Sequence, residues 1–255
     1  METGLQAMAI TDHDTFAGFD AALPYARERG LDLVCGIELS CKLDGHTTHL
    51  LGYFVHGDPG PQFRGWLDQL LTARRDRNRR LAERLQSLGL DIRLEEVERL
   101  GRTLTGRPHF ARVLVEKGYV KTRDEAFKKY IGEHGKAFVE REGPTVEQGI
   151  EKIAEARGLS SLAHPVRVEQ RGPGIADIIG RLAAAGMAGL EVWHTDHNPK
   201  ATEQFLAMAE KNGLTPTGGS DFHGDAKPNV RLGSGANGRL RIPVSVLEAM
   251  RQRSL

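Results

Sequence analysis

The chain has 255 residues, a formal net charge of +1 and a hydrophobic content of 39%. This length can bury one large core, or one core that carries an insertion. The near-zero net charge excludes a general nucleic-acid coat protein, which needs a strong basic excess, although local basic patches remain allowed. No apolar run reaches the roughly 18 residues of a membrane helix, and the start lacks a signal-peptide pattern. Cys35 and Cys41, on one predicted strand and its exit, do not suggest a disulfide framework, so we expect a cytoplasmic protein with no membrane partner.

Short apolar runs alternate with amphipathic helical patterns along most of the chain. The predicted strands are Ala7–Ile10, Leu33–Leu39, Thr48–Val55, Leu159–Ala163, Leu190–Trp193 and Leu214–Gly218. The clearest predicted helices are Thr145–Arg157, Ile175–Ala185 and Ala201–Asn212. Strands that alternate with helices indicate an α/β fold with a mainly parallel sheet, either a barrel or doubly wound. Asp44-Gly45 between two apolar runs predicts a hairpin turn and therefore one antiparallel pair.

The middle of the chain differs, because it has almost no strand pattern. Leucines from Leu67 to Leu88 recur at helical spacing, and Thr122 with Glu125 forms a capping box for a helix over Thr122–Tyr130. We therefore predict a small helical insertion domain at 65–136 within an α/β domain formed by 1–64 and 137–255. Five arginines between Arg74 and Arg80 form either a solvated helix face or a contact for the phosphates of an oligonucleotide.

Histidines and carboxylates gather at the ends of the apolar runs. They are His13 with Asp12 and Asp14 after the first run, Glu38 near the end of the second, His49 at the start of the third, His164 after the fourth, His194 and His197 after the fifth, and Asp221 with His223 after the sixth. Functional groups of α/β sheets converge at the carboxyl ends of strands. Imidazole with carboxylate is a ligand set for zinc, manganese or iron. A single such histidine is more often structural, but the repeated pattern predicts a metal site.

Several short motifs carry a family resemblance. They are Thr-Asp-His-Asp-Thr at 11–15, Gly36-Ile37-Glu38, His49 with Leu51-Gly52-Tyr53, Ala163-His164-Pro165, and Gly219-Ser220-Asp221-Phe222-His223. In order and spacing, these motifs resemble the polymerase and histidinol phosphatase (PHP) family across nearly the whole chain. Gly-Arg-Pro-His-Phe at 106–110 and Glu-Val-Trp-His at 191–194 resemble the bacterial branch that removes the 3′-phosphate from nucleoside 3′,5′-bisphosphates. Members of that branch also degrade short 5′-phosphorylated RNA from the 5′ end.

The resemblance implies a fold and a metal cluster. The fold would be a distorted (β/α)₇ barrel with a helical insertion, and the cluster would hold two or three divalent metals, often Mn²⁺ and sometimes iron or zinc. The ligands carried over from the family motifs are His13, Glu38, His49, His164, Asp221 and His223. Glu38 would bridge the metals, and Asp12 and Asp14 would orient the ligands around them.

The resemblance also implies roles for residues around the substrate. Arg107 and His109, from the insertion, would hold a phosphate, which suits the two parallel donors of a guanidinium. His194 and His197 would lie near the leaving phosphate. An imidazole there could protonate the departing ribose oxygen.

One departure from the family concerns the first residues. The family opens with a strand that carries His-x-His and then a Ser-Asp-Gly segment, and neither follows Met1. We therefore expect two histidines and one aspartate of the cluster to be missing, metals to be held more weakly, and one barrel strand to lack its neighbour. The leading hypothesis is a metal-dependent phosphoesterase that acts on nucleoside 3′,5′-bisphosphates or short 5′-phosphorylated RNA, without an obligate protein partner. The alternative is a truncated, catalytically silent domain that binds metal or nucleotide.

Overall fold

The structure, a computed structural model, describes residues 3–101, 105–140, 142–170 and 174–253. Six strands form one sheet. They are β1 (Ala7–Ile10), β2 (Asp32–Leu43), β3 (His46–Phe54), β4 (Leu159–Leu162), β5 (Gly189–His194) and β6 (Thr215–Gly219). Their order in the sheet is their order in the chain. The pairs β1–β2, β4–β5 and β5–β6 are parallel, whereas β3 is antiparallel to both of its neighbours. The sheet is therefore mixed, because the predicted hairpin at Asp44-Gly45 reverses the chain direction.

The chain divides into two compact units, Met1–Phe63 with Pro144–Leu255, and Arg64–Gly143. The helices of the first unit are α1 (Ala17–Glu28), α6 (Val146–Glu155), α7 (Pro165–Glu169), α8 (Ile175–Ala184), α9 (Pro199–Lys211) and α10 (Ser245–Gln252), with a 3₁₀ turn at Gly224–Ala226. Those of the second are α2 (Gly60–Ser87), which starts in the first unit, α3 (Leu94–Gly101), α4 (Arg107–Glu116) and α5 (Arg123–Ala126), followed by a π-helical turn at Phe127–Ile131. The α/β class with a helical segment in its middle thus follows from the alternation of runs in the sequence.

Helix α6 shows how local sequence sets an element. The Thr145 hydroxyl accepts a hydrogen bond from the Gln148 backbone N–H, and the Gln148 side chain accepts one from the Thr145 N–H. This reciprocal pair is the predicted capping box, and it satisfies two amide donors that a helix start would otherwise leave unpaired. Ile150 and Ile153, one helical turn apart, are buried and pack α6 against the sheet.

The two ends of the sheet curve toward each other. Strands β1 and β6 are the first and last in its order, and both line a cavity of about 340 Å³ that α10 also borders. The sheet is therefore a half barrel. The second unit has a core of its own, centred on Leu85, Phe110 and Leu114, which are all fully buried. Cys35 and Cys41 are buried and are not joined by a disulfide. Among the described residues, no helix is long and apolar enough to cross a membrane.

Candidate metal centre

The β2–β3 hairpin supplies the middle of the candidate site. Ser40 pairs with His49 across the two strands, and Glu38 pairs with Leu51. Residues two apart on a strand share a face, so Glu38 and His49 are diagonal neighbours on one side of the hairpin. The His49 Nδ1 atom lies 2.7 Å from the Glu38 Oε1 atom. We expected both residues at strand ends, which was wrong: β2 continues to Leu43 and β3 begins at His46, so both lie within their strands.

His13 reaches the same face because the chain after β1 stays paired to β2. The Glu38 N–H donates to the Asp12 carbonyl at 3.0 Å, and the Asp14 N–H donates to the Glu38 carbonyl at 3.0 Å. His13 is thereby fixed beside Glu38, with 3.7 Å between His13 Nε2 and Glu38 Oε2. The His13 and His49 rings meet edge to face, 4.7 Å apart.

The two aspartates that flank His13 have different surroundings. Asp14 is buried and has a left-handed backbone, with φ 51°. Its carboxylate accepts hydrogen bonds from the Ser40 N–H at 2.7 Å and from the Ser40 hydroxyl at 2.8 Å. Asp14 therefore ties the His13 loop to the hairpin. The Asp12 carboxylate instead lies against the start of α1, where a Cβ on Gly18 would come within 2.1 Å of it.

His164, at the end of β4, completes the group around Glu38. Its Nε2 atom lies 3.3 Å from Glu38 Oε1 and 3.2 Å from His49 Nδ1. The His164 backbone is left-handed, with φ 30° and ψ 62°, directly before Pro165 opens α7. Its N–H donates to the buried Glu191 carboxylate at 2.6 Å. These contacts place the imidazole on the Glu38 side of a cavity of about 100 Å³ that Glu38, His164 and Glu191 help to line.

Asp221 and its neighbours occupy the other side of that cavity. The Asp221 carboxylate accepts a hydrogen bond from Arg167 at 3.0 Å and another from Lys227. His194 Nε2 lies 3.6 Å from Asp221 Oδ2. The His223 ring lies 6.0 Å from the His13 ring, and its Nδ1–H donates to the Asp221 carbonyl at 2.8 Å. Asp221 and His223 are therefore brought to the same face as the hairpin residues.

His197 is oriented by a strand irregularity. The pairing of β5 with β6 shifts by one residue between Glu191 and Trp193, a bulge that leaves Val192 without a partner in the register. The His197 Nδ1–H donates to the Val192 carbonyl at 2.8 Å. Its ring packs 5.0 Å from Phe205 and 5.3 Å from His194.

Burial and mutual contacts set the protonation of the group. Burial would raise the pKa of Glu38, but hydrogen bonds from His164 and His49 outweigh it and hold that pKa well below its ordinary value. Burial lowers the pKa of His13 and of His164. At neutral pH the group therefore combines the ionised Glu38 carboxylate with the neutral imidazoles of His13 and His164, the forms in which these side chains bind metals.

Around Asp221, the pKa values depend on the balance between nearby opposite charges and burial. Burial would raise its pKa, but His194 and Lys227 outweigh burial and hold the pKa of Asp221 well below its ordinary value. Burial would likewise lower the pKa of His194, yet the nearby carboxylates, Asp221 first, raise it. For His197 burial prevails and lowers its pKa to about 4. Burial raises the pKa of Glu191 to about 7.

Arg107 and His109 belong to the second unit, at the start of α4. The His109 ring accepts a hydrogen bond from the Gly106 N–H at 3.2 Å, which caps the helix, and the Arg107 guanidinium lies 5.8 Å from the Phe138 ring centre. Burial lowers the pKa of His109. Within the arginine-rich stretch of α2, Arg75 pairs with Glu98 of the same unit.

Sequence reasoning assigned no role to several residues of this site. Glu191 belongs to a family motif, and as one acidic residue inside the otherwise apolar run of β5 it also indicates a special environment. Ser40 follows Glu38 on the same face of β2 and could have been found from strand periodicity. Arg167 reaches Asp221 from the earlier helix α7, and Lys227 reaches it from six residues further along the chain. The placement of Arg167 depends on the tertiary fold, so no local pattern reveals it.

The donor set fits a divalent metal. Ligand atoms of His13, Glu38 and His49 all lie within 4.8 Å of one another. Among the described residues, the buried Nδ1 atom of the candidate ligand His164 has no hydrogen-bond partner. An unpaired buried polar atom is costly, and a bound ion is one group that can satisfy it.

Comparison with known proteins places the chain in a family. No protein-family model matches it. The 5′-3′ exoribonuclease Rnm of Salmonella typhimurium is 33% identical over 241 residues, which cover 91% of this chain and 80% of that protein. The chain belongs to the PHP family. A 3′,5′-nucleoside bisphosphate phosphatase of Chromobacterium violaceum is 31% identical over 219 residues, covering 85% of this chain and 76% of that protein.

Solved structures agree with this membership. A Bifidobacterium adolescentis protein assigned to the metal-dependent phosphoesterases matches with a TM-score of 0.79 and 31% identity, over 98% of this chain and 86% of that one. An amidohydrolase from Chromobacterium violaceum, with bound sulfate and no metal, matches with a TM-score of 0.76 and 27% identity. The match covers 98% of this chain and 88% of that one. The predicted PHP family, α/β fold class and enzyme class, a metal-dependent phosphoric ester hydrolase, are therefore confirmed.

Proposed function

We propose that this PHP protein hydrolyses phosphate esters of nucleotides, with nucleoside 3′,5′-bisphosphates and short 5′-phosphorylated RNA as its substrate class. The observation that carries the proposal is the convergence of His13, Glu38 and His49 within 4.8 Å, with His164 in contact with two of them. The names of two relatives, an exoribonuclease and a nucleoside bisphosphate phosphatase, support that substrate class.

The metal ligands of this proposal are those of the family motifs. They are His13, Glu38, His49, His164, Asp221 and His223. Manganese is the proposed metal, because imidazole and carboxylate together suit Mn²⁺, with iron or zinc as alternatives. A bound divalent metal supplies a Lewis acid for the phosphoryl oxygens and lowers the pKa of a water. The ionised Glu38 and the neutral His13 and His164 are already in the state that binding requires.

Other residues of the chain act on the substrate in this proposal. Arg107 and His109 hold a phosphate, since the guanidinium can donate two parallel hydrogen bonds to it. His194 donates a proton to the departing oxygen. Its partner His197 is less suited to that step, because the Nδ1–H of His197 is engaged by the Val192 carbonyl and its ring is packed on Phe205. His197 instead packs beside His194 and limits its movement.

The first experiment measures Mn²⁺-dependent phosphate release from adenosine 3′,5′-bisphosphate. We expect release by the wild type that is lost on chelation and restored by Mn²⁺. Asp221→Ala should reduce the rate at least 100-fold, since removal of one group from a charge-stabilising site commonly costs about 10²–10³ in rate. The exposed Asp177→Ala change in α8 is the matched control and should leave the rate unchanged.

A second substrate separates the two activities within the class. A short 5′-phosphorylated RNA should be shortened from its 5′ end with the same metal dependence and the same sensitivity to Asp221→Ala. Turnover of neither substrate by a protein that binds Mn²⁺ would favour the alternative, a catalytically silent metal-binding domain.

A further inference from the structure

Glu191 is a buried carboxylate inside the sheet to which no role has been assigned. It is 4% exposed, and its neighbours along β5, Leu190 and Val192, are fully buried. Its Oε2 atom accepts the His164 backbone N–H at 2.6 Å. Its Oε1 atom faces Gly219 of β6, where a Cβ would come within 3.1 Å. The space beside β6 is thus open to the carboxylate because residue 219 has no side chain.

Glu191 accepts a hydrogen bond from the backbone of His164, a residue whose backbone conformation is unfavourable. His164 has a left-handed backbone, which residues with a Cβ rarely adopt, and it precedes a proline, which further disfavours helical backbone angles. The preceding residue, Ala163, still donates to the His49 carbonyl of β3. The chain therefore leaves the ladder at His164, and the His164 amide turns to Glu191 on β5. This turn aims the ring at Glu38 and His49.

We infer that Glu191 is a positioning residue, which holds the His164 backbone in the conformation that presents its imidazole to the metal cluster. The inference rests on the proposed metal site and adds to it a residue that acts through His164 without binding the metal. An amide donor needs only an oxygen acceptor of the right reach. Glutamine should therefore replace Glu191, whereas alanine should not. A carboxylate that itself bound the metal would not tolerate glutamine.

The test compares Glu191→Ala and Glu191→Gln with the wild type in Mn²⁺ binding, measured by titration calorimetry on the full chain. We expect the alanine variant to bind about 10–100-fold more weakly, as for other residues that orient a metal ligand, and the glutamine variant to bind within a few-fold of wild type. Thr217→Val is the matched control. It removes a buried hydrogen bond to Ser161 on the adjacent strands and should leave metal affinity unchanged.

A double-mutant cycle shows whether the effect passes through His164. In a His164→Ala background, Glu191→Ala should weaken Mn²⁺ binding no further, because coupled residues are not additive. Equal losses in Glu191→Gln and Glu191→Ala, or an undiminished loss in the His164→Ala background, would overturn the inference.

The His164 amide gives a readout that needs neither metal nor turnover. In the metal-free protein its proton resonance should be shifted downfield and protected from exchange, because the bond to Glu191 is short and its acceptor is a carboxyl group. Glu191→Gln should keep this protection and Glu191→Ala should abolish it. If the wild type bound no Mn²⁺, the proposed function would fail, whereas this measurement would still decide whether Glu191 holds His164. If the exchange protection of the His164 amide were unchanged in both variants, Glu191 would not hold the His164 backbone.

Discussion

At the scale of single residues, the site is built on backbone conformations that side chains rarely adopt. Asp14, His164 and Asp221 all have positive φ among the described residues, and all three follow a strand that ends at the site. Each such residue costs about 1–3 kcal/mol. Asp14 and His164 have buried hydrogen bonds that hold these conformations, to Ser40 and Glu191 respectively. Aspartate and histidine enter this left-handed region more often than most residues with a Cβ, but their presence alone does not predict it.

His197 provides a prediction at this scale. Its pKa is lowered to about 4 by burial, against about 6.5 in an unfolded chain. Between these values the unfolded state binds a proton that the folded state excludes. The stability from this residue is therefore complete above pH 6.5 and falls as pH decreases toward 4.

Histidine NMR titration of the folded protein checks this directly. The His197 resonances should stay in the neutral form to about pH 4. His197→Gln should flatten the fall in unfolding free energy between pH 6.5 and pH 4 as measured by urea denaturation. A His197 resonance that titrates near pH 6.5 would contradict the burial argument.

At the scale of elements, the β2–β3 hairpin matters most, because its register decides whether Glu38 and His49 share a face. The turn residues Asp44 and Gly45 both have positive φ, 48° and 83°, as a two-residue turn of the type I′ requires. A register shift of one residue in β2 or in β3 would turn Glu38 or His49, respectively, to the opposite face of the hairpin.

The hairpin turn gives a second prediction. Gly45→Ala should lower the free energy of unfolding by about 1–2 kcal/mol, because the left-handed conformation penalises a Cβ, and nothing lies near enough to clash with it. Gly180→Ala, in the middle of α8, is the control with the opposite sign. It should stabilise by up to about 1 kcal/mol, since alanine favours helices and the new Cβ meets only the Asn212 side chain at 3.6 Å. Equal effects of the two changes in urea denaturation would contradict this account of the turn.

Most of the strands and turns could be predicted from the sequence, but the full length of β2 could not. Apolar runs and turn residues predicted all six strands, the Asp44-Gly45 hairpin and the capping box of α6, since these depend on neighbours along the chain. The length of β2 was underestimated, because Ser40, Cys41 and Lys42 do not extend the apolar pattern. They become strand by pairing with β3, a tertiary effect. Glu38 was therefore assigned to a strand end although it lies within the strand.

At the scale of the whole molecule, the chain has two units with separate cores. The core around Phe110 lies wholly within Arg64–Gly143, and the candidate metal residues lie wholly in the other unit. The sequence predicted the candidate ligand motifs, and it predicted the helical character of the middle segment. Two partners of those motifs, Glu191 and Arg167, could not be predicted, because contacts between residues far apart in the chain create them.

This division predicts that metal stabilises one unit selectively. The two tryptophans report on different units, Trp66 on the second and Trp193 on the first. A ligand at 100 times its Kd stabilises the state that binds it by about 2.7 kcal/mol. For a unit of this size that corresponds to a rise in Tm of roughly 5–10 °C.

Single-tryptophan variants make the measurement. In Trp66→Phe, Mn²⁺ should raise the midpoint of the Trp193 fluorescence transition by that amount, and chelation should reverse it. In Trp193→Phe, the Trp66 transition should move by no more than a degree or two, because no candidate ligand belongs to its unit. Asp221→Ala in the Trp66→Phe background should remove most of the shift, which ties the stabilisation to the proposed site. Equal shifts for both tryptophans would mean that the two units unfold together, and that metal binding in one stabilises the entire chain.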